Sequence, residues 1–164
     1  MLEWDDLVFH ELLGSGAFGD VYKGLYQGDI DVAIKRMRSG LIDSNGFANF
    51  EREVFMLSKV RHRNIVRFLG FSIDPCLVLV MEFVDGGTLD AFISAQEGAH
   101  VAEFTTVMRI LTGIARAIAY MHAVEPKPII HRDIKCENVL LTKKMEAKLT
   151  DLGEAVSLER SEQT

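Results

Sequence analysis

The sequence predicts an α+β fold: a five-stranded antiparallel sheet with one helix, followed by a mainly helical part. Three observations predict it. Apolar residues alternate in short runs from Leu7 to about Arg38, two more strand-like runs cover 65–71 and 76–83, and from Phe104 the apolar spacing becomes that of a long helix. With 48% hydrophobic and 26% charged residues, the chain of 164 carries enough apolar material for a sizeable core.

Glycines at 14, 16, 19, 24 and 28 interrupt the first stretch, which reads as three antiparallel strands. A polar loop from Gly40 to Gly46 follows. Phe47, Phe50, Val54 and Leu57 then recur at three- and four-residue spacing, so a helix is expected over about 47–59, with Asp43 to Asn45 available to cap it. Asp74-Pro75 is a turn between the last two strands, and Asp85-Gly86-Gly87 is the linker, ahead of a short helix near Thr88 to Ser94. Phe104, Val107, Ile110, Leu111, Ile114, Ala115, Ile118 and Met121 line one stripe of a helix ending near His122, which Pro126 and Pro128 stop. Short extended runs follow around Ile129-Ile130, Val139 to Leu141 and Ala147 to Leu149.

Composition excludes several function classes. The net charge of -6 and the lack of a Lys/Arg block argue against nucleic acid as the main partner, because phosphate-backbone binding leaves a basic footprint. Cys76 and Cys136 form no Cys-x-x-Cys pair and are too few for a disulfide framework. The histidines at 10, 62, 100, 122 and 131 lack the close pairing of a zinc site. No apolar run approaches the roughly 18 residues of a membrane span, and the acidic start Met1-Leu-Glu-Trp-Asp-Asp is unlike a secretory signal. An intracellular, cytoplasmic location is the expectation.

Gly14-Ser15-Gly16-Ala17-Phe18-Gly19 matches G-x-G-x-x-G, which alone divides about evenly between a nucleotide loop and a plain hairpin. In a dinucleotide site the glycines open a helix, whereas Val21, Lys23 and Leu25 continue in strand alternation, so the loop is expected to join two strands. Val32-Ala33-Ile34-Lys35 places a lysine on the third strand, from which a cation reaches phosphates under the loop. A solvated edge charge is the bland alternative. Glu53 lies mid-helix, where it either pairs with Lys35 or faces water. The most specific string is His131-Arg132-Asp133-Ile134-Lys135-Cys136-Glu137-Asn138. Asp133 there suits a hydroxyl-orienting base, Lys135 a counter-charge for a moving phosphoryl group, and Asn138 a Mg²⁺ ligand. Asp151, in Thr150-Asp151-Leu152-Gly153, offers a second, carboxylate ligand. A hard, oxygen-binding ion fits this set better than zinc.

In this ordered series the sequence resembles the eukaryotic protein kinases over nearly its whole length. The resemblance implies ATP and Mg²⁺ as cofactors, a protein substrate, and transfer of the γ-phosphate to Ser/Thr hydroxyls. It implies that the glycine loop, 14 to 19, covers ATP, that Lys35 contacts the α/β-phosphates and pairs with Glu53, that Asp133 is the catalytic base assisted by Lys135, and that Asn138 and Asp151 hold Mg²⁺. It further implies Met81 as gatekeeper, Glu82 to Asp85 as hinge with the backbone of Glu82 and Val84 reading adenine, Val21, Ala33 and Leu140 around the base, and Thr88 at the nucleotide. Leu57, Phe68, His131 and Leu152 would form a hydrophobic column. The implied lobes are 1–81 and 88–164, with a hinge over 82–87.

Lys135, two positions after Asp133, is similar to the lysine of Ser/Thr kinases. Leu2-Glu3-Trp4, the string Arg61-His62-Arg63-Asn64-Ile65-Val66 and Pro128 to Asp133 are similar to the tyrosine-kinase-like group that includes the Raf and mixed-lineage kinases. Asp151-Leu152-Gly153 departs from the commoner phenylalanine form but keeps a carboxylate and an apolar side chain. After Gly153 the sequence runs to Thr164 without an Ala-Pro-Glu motif, so the resemblance implies an incomplete second lobe ending in the activation segment. Exposing even ~400 Å² of apolar helix surface forfeits on the order of 10 kcal/mol of burial. The expectation is therefore a marginally folded second half, in a chain that aggregates, needs a stabilising partner chain or is a piece of a longer product. A non-catalytic ATP-binding or regulatory module is the alternative function.

Overall fold

The computed structural model describes residues 1–16, 19–38, 44–96 and 102–158. By contacts the chain divides into two compact units, Met1–Ser58 with Arg67–Phe83, and Lys59–Val66 with Val84–Thr164. No helix among the described residues is long and apolar enough to cross a membrane.

The first unit is built on strands β1 (Leu7–Ser15), β2 (Gly19–Tyr26), β3 (Ile30–Met37), β4 (Phe68–Ser72) and β5 (Val78–Glu82), in the order β1-β2-β3-β5-β4. Every neighbouring pair is antiparallel, as expected. Side chains alternate across a strand. On one face Val32 and Ile34 of β3 meet Val78, Val80 and Leu7, all buried, with Leu2, Trp4, Phe9, Tyr26, Leu69 and Cys76 packed against them. Ala33 and Lys35 therefore point to the other face, the side of helix α1 (Ser44–Lys59), whose Glu53 meets Lys35. Phe50 of α1 is buried and packs edge-on to Phe71 of β4.

Two expectations shift here. The helix begins at Ser44, so Ser44 and Asn45 lie within its first turn rather than ahead of it, and Asp43 lies outside the described residues. The expected strand from Ile65 begins only at Phe68. Ile65 instead bridges Leu149 in parallel, and the Val66 N–H donates to the Leu149 carbonyl, which draws Lys59–Val66 into the second unit.

The second unit contains α2 (Leu89–Ser94), α3 (Phe104–His122), β6 (Ile129–Ile130), β7 (Val139–Leu141), β8 (Ala147–Leu149) and β9 (Val156–Ser157). β7 pairs with β8 and β6 with β9. The Thr88 hydroxyl accepts the Ala91 N–H and caps α2. Residues 85–88 are stitched to β7: the Gly86 N–H donates to Leu141, and the Leu141 N–H to Gly87.

The apolar stripe expected along α3 resolves into two faces. Ile110, Gly113, Ala117 and Met121 are buried, whereas Phe104 is 76% exposed and Leu111 53%. Two of the four buried positions, Gly113 and Ala117, are small, and at Gly113 Asn64 and Ala147 of β8 come close to the helix. A Cβ on Gly113 would stand 2.9 Å from Asn64 Nδ2 and 3.2 Å from Ala147 Cβ. Weighing large apolar side chains alone misses a seam of this kind.

Candidate active site

The first unit carries the loop and the lysine. β1 runs into β2 across the glycine segment, so Gly14 to Gly19 joins two strands, as its sequence context predicts. Ser15 stands opposite Asp20, Gly14 opposite Val21, and the Gly16 N–H donates to the Gly19 carbonyl at 2.8 Å. Ala17 and Phe18 lie outside the described residues. Gly19 cannot carry a side chain, because a Cβ there would collide with the backbone carbonyl of Arg36. The Ser15 hydroxyl donates to Asp20 Oδ1 at 2.6 Å, and Arg38 Nη2 donates to the same oxygen at 3.1 Å. The Ser15 hydroxyl first, and Arg38 second, hold the Asp20 carboxyl below the usual carboxylate range.

Lys35 is no edge charge. It sits on the central strand, 9% exposed, with Nζ 2.7 Å from Oε1 of Glu53, itself 4% exposed. That contact decides between the two readings of Glu53: it faces the lysine, not water. Removing one partner of such a buried pair costs about 3–5 kcal/mol, because the other charge stays desolvated and uncompensated. The ladder then places neighbours of Lys35 on its own face. Val21 is opposite Lys35, Ala33 is two residues away, and Met81 is opposite Ala33, so Val21, Ala33, Lys35 and Met81 share one side of the sheet. The Glu82 N–H is committed to the Arg67 carbonyl, and the Glu82 carboxylate accepts the Arg67 N–H. Leu57 and Phe68 also belong to this unit, buried and half-buried.

The second unit carries the remaining candidates. Val84, Thr88 and Leu140 fall here, with Thr88 and Leu140 joined by an isolated bridge. Asp133 Oδ2 is 2.9 Å from Lys135 Nζ and accepts from Asn138 Nδ2 at 2.9 Å, while the Asp133 carbonyl accepts the other Nδ2 hydrogen at 2.9 Å. The Lys135 hydrogen bond, outweighing burial and aided by Asn138, keeps the Asp133 carboxyl below its ordinary range, and Asp133 in turn raises the lysine. Both Nδ2 hydrogens of Asn138 are thus directed at acceptors, and Oδ1 meets no donor among the described residues in a residue that is 7% exposed. An amide oxygen so fixed, together with the Asp151 carboxylate, is a donor set that suits Mg²⁺. The two residues lie on neighbouring segments. Thr150, beside Asp151, donates its N–H to the Asn138 carbonyl and accepts from His131 Nε2 at 3.0 Å.

Arg132 and Asp151 both have left-handed backbone, φ 68 and 62. Each such residue costs of order 1–3 kcal/mol and persists only where its surroundings dictate it. Arg132 Nε donates to the Glu154 carbonyl at 2.6 Å, and the Gly153 N–H donates to Asp151 Oδ1 at 3.3 Å. Leu152 and Ala155 are buried beneath this turn, as is His131.

Sequence reasoning missed three contributors. Asp20 ties the base of the loop, Thr150 joins the two candidate ligand segments, and Asn64 anchors 59–66 through Nδ2 on the Ala147 carbonyl and its own carbonyl on the Leu149 N–H. Only Asn64 left a signal, as a polar residue directly ahead of the apolar pair Ile65-Val66.

The pattern of the protein tyrosine and serine/threonine kinase family matches residues 7–164. The chain is 39% identical over 152 residues to cysteine-rich receptor-like protein kinase 38 of Arabidopsis thaliana, covering 92% of this chain and 23% of that protein. Cysteine-rich receptor-like protein kinase 4 of the same plant is 41% identical over 144 residues, 87% of this chain and 21% of that one. A G-type lectin S-receptor-like serine/threonine-protein kinase from it is 38% identical over 150 residues, 91% and 18%. The chain spans about a fifth of the length of these relatives. With a loop joining two strands, a buried lysine–glutamate pair and an aspartate held by lysine and asparagine, this chain belongs to the protein tyrosine and serine/threonine kinase family.

Proposed function

We propose that this chain binds Mg-ATP and transfers its γ-phosphate to serine or threonine hydroxyls of a protein substrate, on the cytoplasmic side where ATP is abundant. The observation that carries this reading is the Asp133 carboxylate, held by Lys135 and Asn138 at 2.9 Å each. An ionised carboxylate whose Oδ2 is held by two fixed partners is suited to orient an incoming hydroxyl and take its proton. Lys135 supplies a positive charge next to that oxygen, where the charge on the transferring group develops. It also supports the Ser/Thr assignment, as does the name of the lectin-type relative, a serine/threonine-protein kinase.

Lys35, extended by Glu53, is assigned to the α/β-phosphates, the glycine loop to phosphate contact, and Val21, Ala33, Met81, Glu82, Val84, Thr88 and Leu140 to the base and ribose. Asn138 Oδ1 and the Asp151 carboxylate are the groups that would hold Mg²⁺, and the ion would supply positive charge to neutralise the phosphates.

Transfer of labelled γ-phosphate to a generic protein substrate tests the proposal. Label is expected on serine and threonine, and Asp133→Ala is expected to lower the rate by roughly 10²–10⁴-fold while Mg-ATP binding persists. Label on tyrosine would overturn the substrate class. An unchanged rate in Asp133→Ala would overturn the role of the base, and binding without transfer in the parent chain would favour a non-catalytic module.

A further inference from the structure

We infer that Asp20 is a positioning residue for the nucleotide's phosphates, acting through Ser15 and the backbone at the base of the glycine loop; the inference rests on the nucleotide reading above. The two legs of the loop are joined twice. Their backbones meet where the Gly16 N–H donates to the Gly19 carbonyl at 2.8 Å, and their side chains meet where the Ser15 hydroxyl donates to Asp20 Oδ1 at 2.6 Å. Ser15 and Asp20 are direct cross-strand partners, so this contact fixes the register at the point where the ladder of β1 and β2 ends.

The third strand completes the tie. Asp20 is opposite Arg36, which makes Arg38 its diagonal neighbour on the same face, and Arg38 Nη2 holds the same Oδ1 at 3.1 Å. One carboxylate oxygen thus joins β1, β2 and the residue directly after β3, next to the segment assigned to the phosphates. The register of β1 on β2 is irregular between Phe9 and Leu12 and again between Leu12 and Gly14, so strand pairing alone specifies the loop's approach poorly. Binding phosphate through backbone N–H groups requires those groups to be set in advance, and ordering them only on binding lowers affinity. The Arg38 guanidinium also balances the Asp20 charge, which would otherwise repel a triphosphate.

Because the tie acts where phosphates are held, it should matter for Mg-ATP and not for adenosine. Calorimetric titration of the 164-residue chain with each ligand makes the comparison. Asp20→Ala is expected to weaken Mg-ATP roughly three- to tenfold and to leave adenosine within about twofold of the parent. Asp20→Asn, which keeps an acceptor for the Ser15 hydroxyl, should recover part of the loss. Ser15→Ala combined with Asp20→Ala should be no weaker than Asp20→Ala alone. Mg-ATP affinity unchanged or tightened in Asp20→Ala overturns the inference, and so does an equal loss for adenosine, which would mean general damage to the sheet. A parent chain that binds neither ligand overturns the nucleotide reading and this inference with it. Parent binding without any phosphate-dependent difference in Asp20→Ala overturns this inference alone.

Discussion

His131 illustrates how a single side chain in this chain is determined by its hydrogen bonds. Its Nε2 faces a carbonyl, that of Thr150, and must donate, while Nδ1 receives the Asp133 N–H at 3.3 Å and must accept. One neutral tautomer satisfies both, and a second proton would break the bond to the backbone of Asp133. Burial pushes the imidazole below its ordinary value of 6.5, outweighing the Thr150 bond and the charges of Asp151 and Asp133. The unfolded chain therefore binds this proton at a higher pH than the native one. The contribution to stability is complete above the unfolded value and is lost as pH falls through it toward the lower native value. Urea unfolding should give a shallower decline as the pH falls below about 7 in His131→Gln than in the parent. Some decline should persist, since burial also lowers His62. Equal slopes in the two proteins would show that the imidazole is not held neutral. In the sequence His131 read as a member of an apolar column; its polar role was invisible because both partners are backbone groups that no residue identity announces.

At the scale of elements, what was legible depended on whether the signal was carried by residue type or by proximity. The strand–loop–strand around Gly14 to Gly19 followed from alternation on both sides, and β3 with Lys35 followed from its apolar run. The segment 59–66 was not legible, and the buried face of α3 was legible only in part, through Ile110 and Met121 and not through Gly113 and Ala117. Both depend on Asn64 lying against a helix position that has no side chain. Glycine inside a helix normally costs roughly 1 kcal/mol relative to alanine, so Gly113→Ala on an open helix would stabilise. Here the added methyl would meet Asn64 Nδ2, which is itself held by the Ala147 carbonyl at 2.8 Å and cannot easily yield. Gly113→Ala is expected to destabilise by about 1–3 kcal/mol in denaturant unfolding, the range of overpacked sites. In an Asn64→Ala background the same change should become neutral or stabilising, and a penalty that survives there would place the crowding elsewhere.

At the scale of the whole molecule, the chain has two cores of different character. The first is a sheet face of β-branched residues, with Val32, Ile34, Val78 and Val80 at 0% exposure. The second is gathered around α3, whose Ile110, Ala117 and Met121 are buried and which packs against β6 and β8, where Ile129 and Leu149 are buried. Composition placed the division of the chain at Asp85-Gly86-Gly87, and the family resemblance implied a hinge over 82–87. The contact division also crosses at Ser58/Lys59 and Val66/Arg67, where composition gives no sign. A unit with its own core opens as a cooperative group, so damage to one core should register first in that unit's amides. Ile34→Ala deletes a fully buried side chain of the sheet and is expected to cost about 2–5 kcal/mol. Native-state hydrogen exchange should then show lowered protection at β2, β3 and β5, with the amides of α3, β7 and β8 retaining theirs. A uniform loss across both groups would mean that the chain opens as one cooperative body, with the sheet core stabilising the residues around Asp133 as much as those around Lys35.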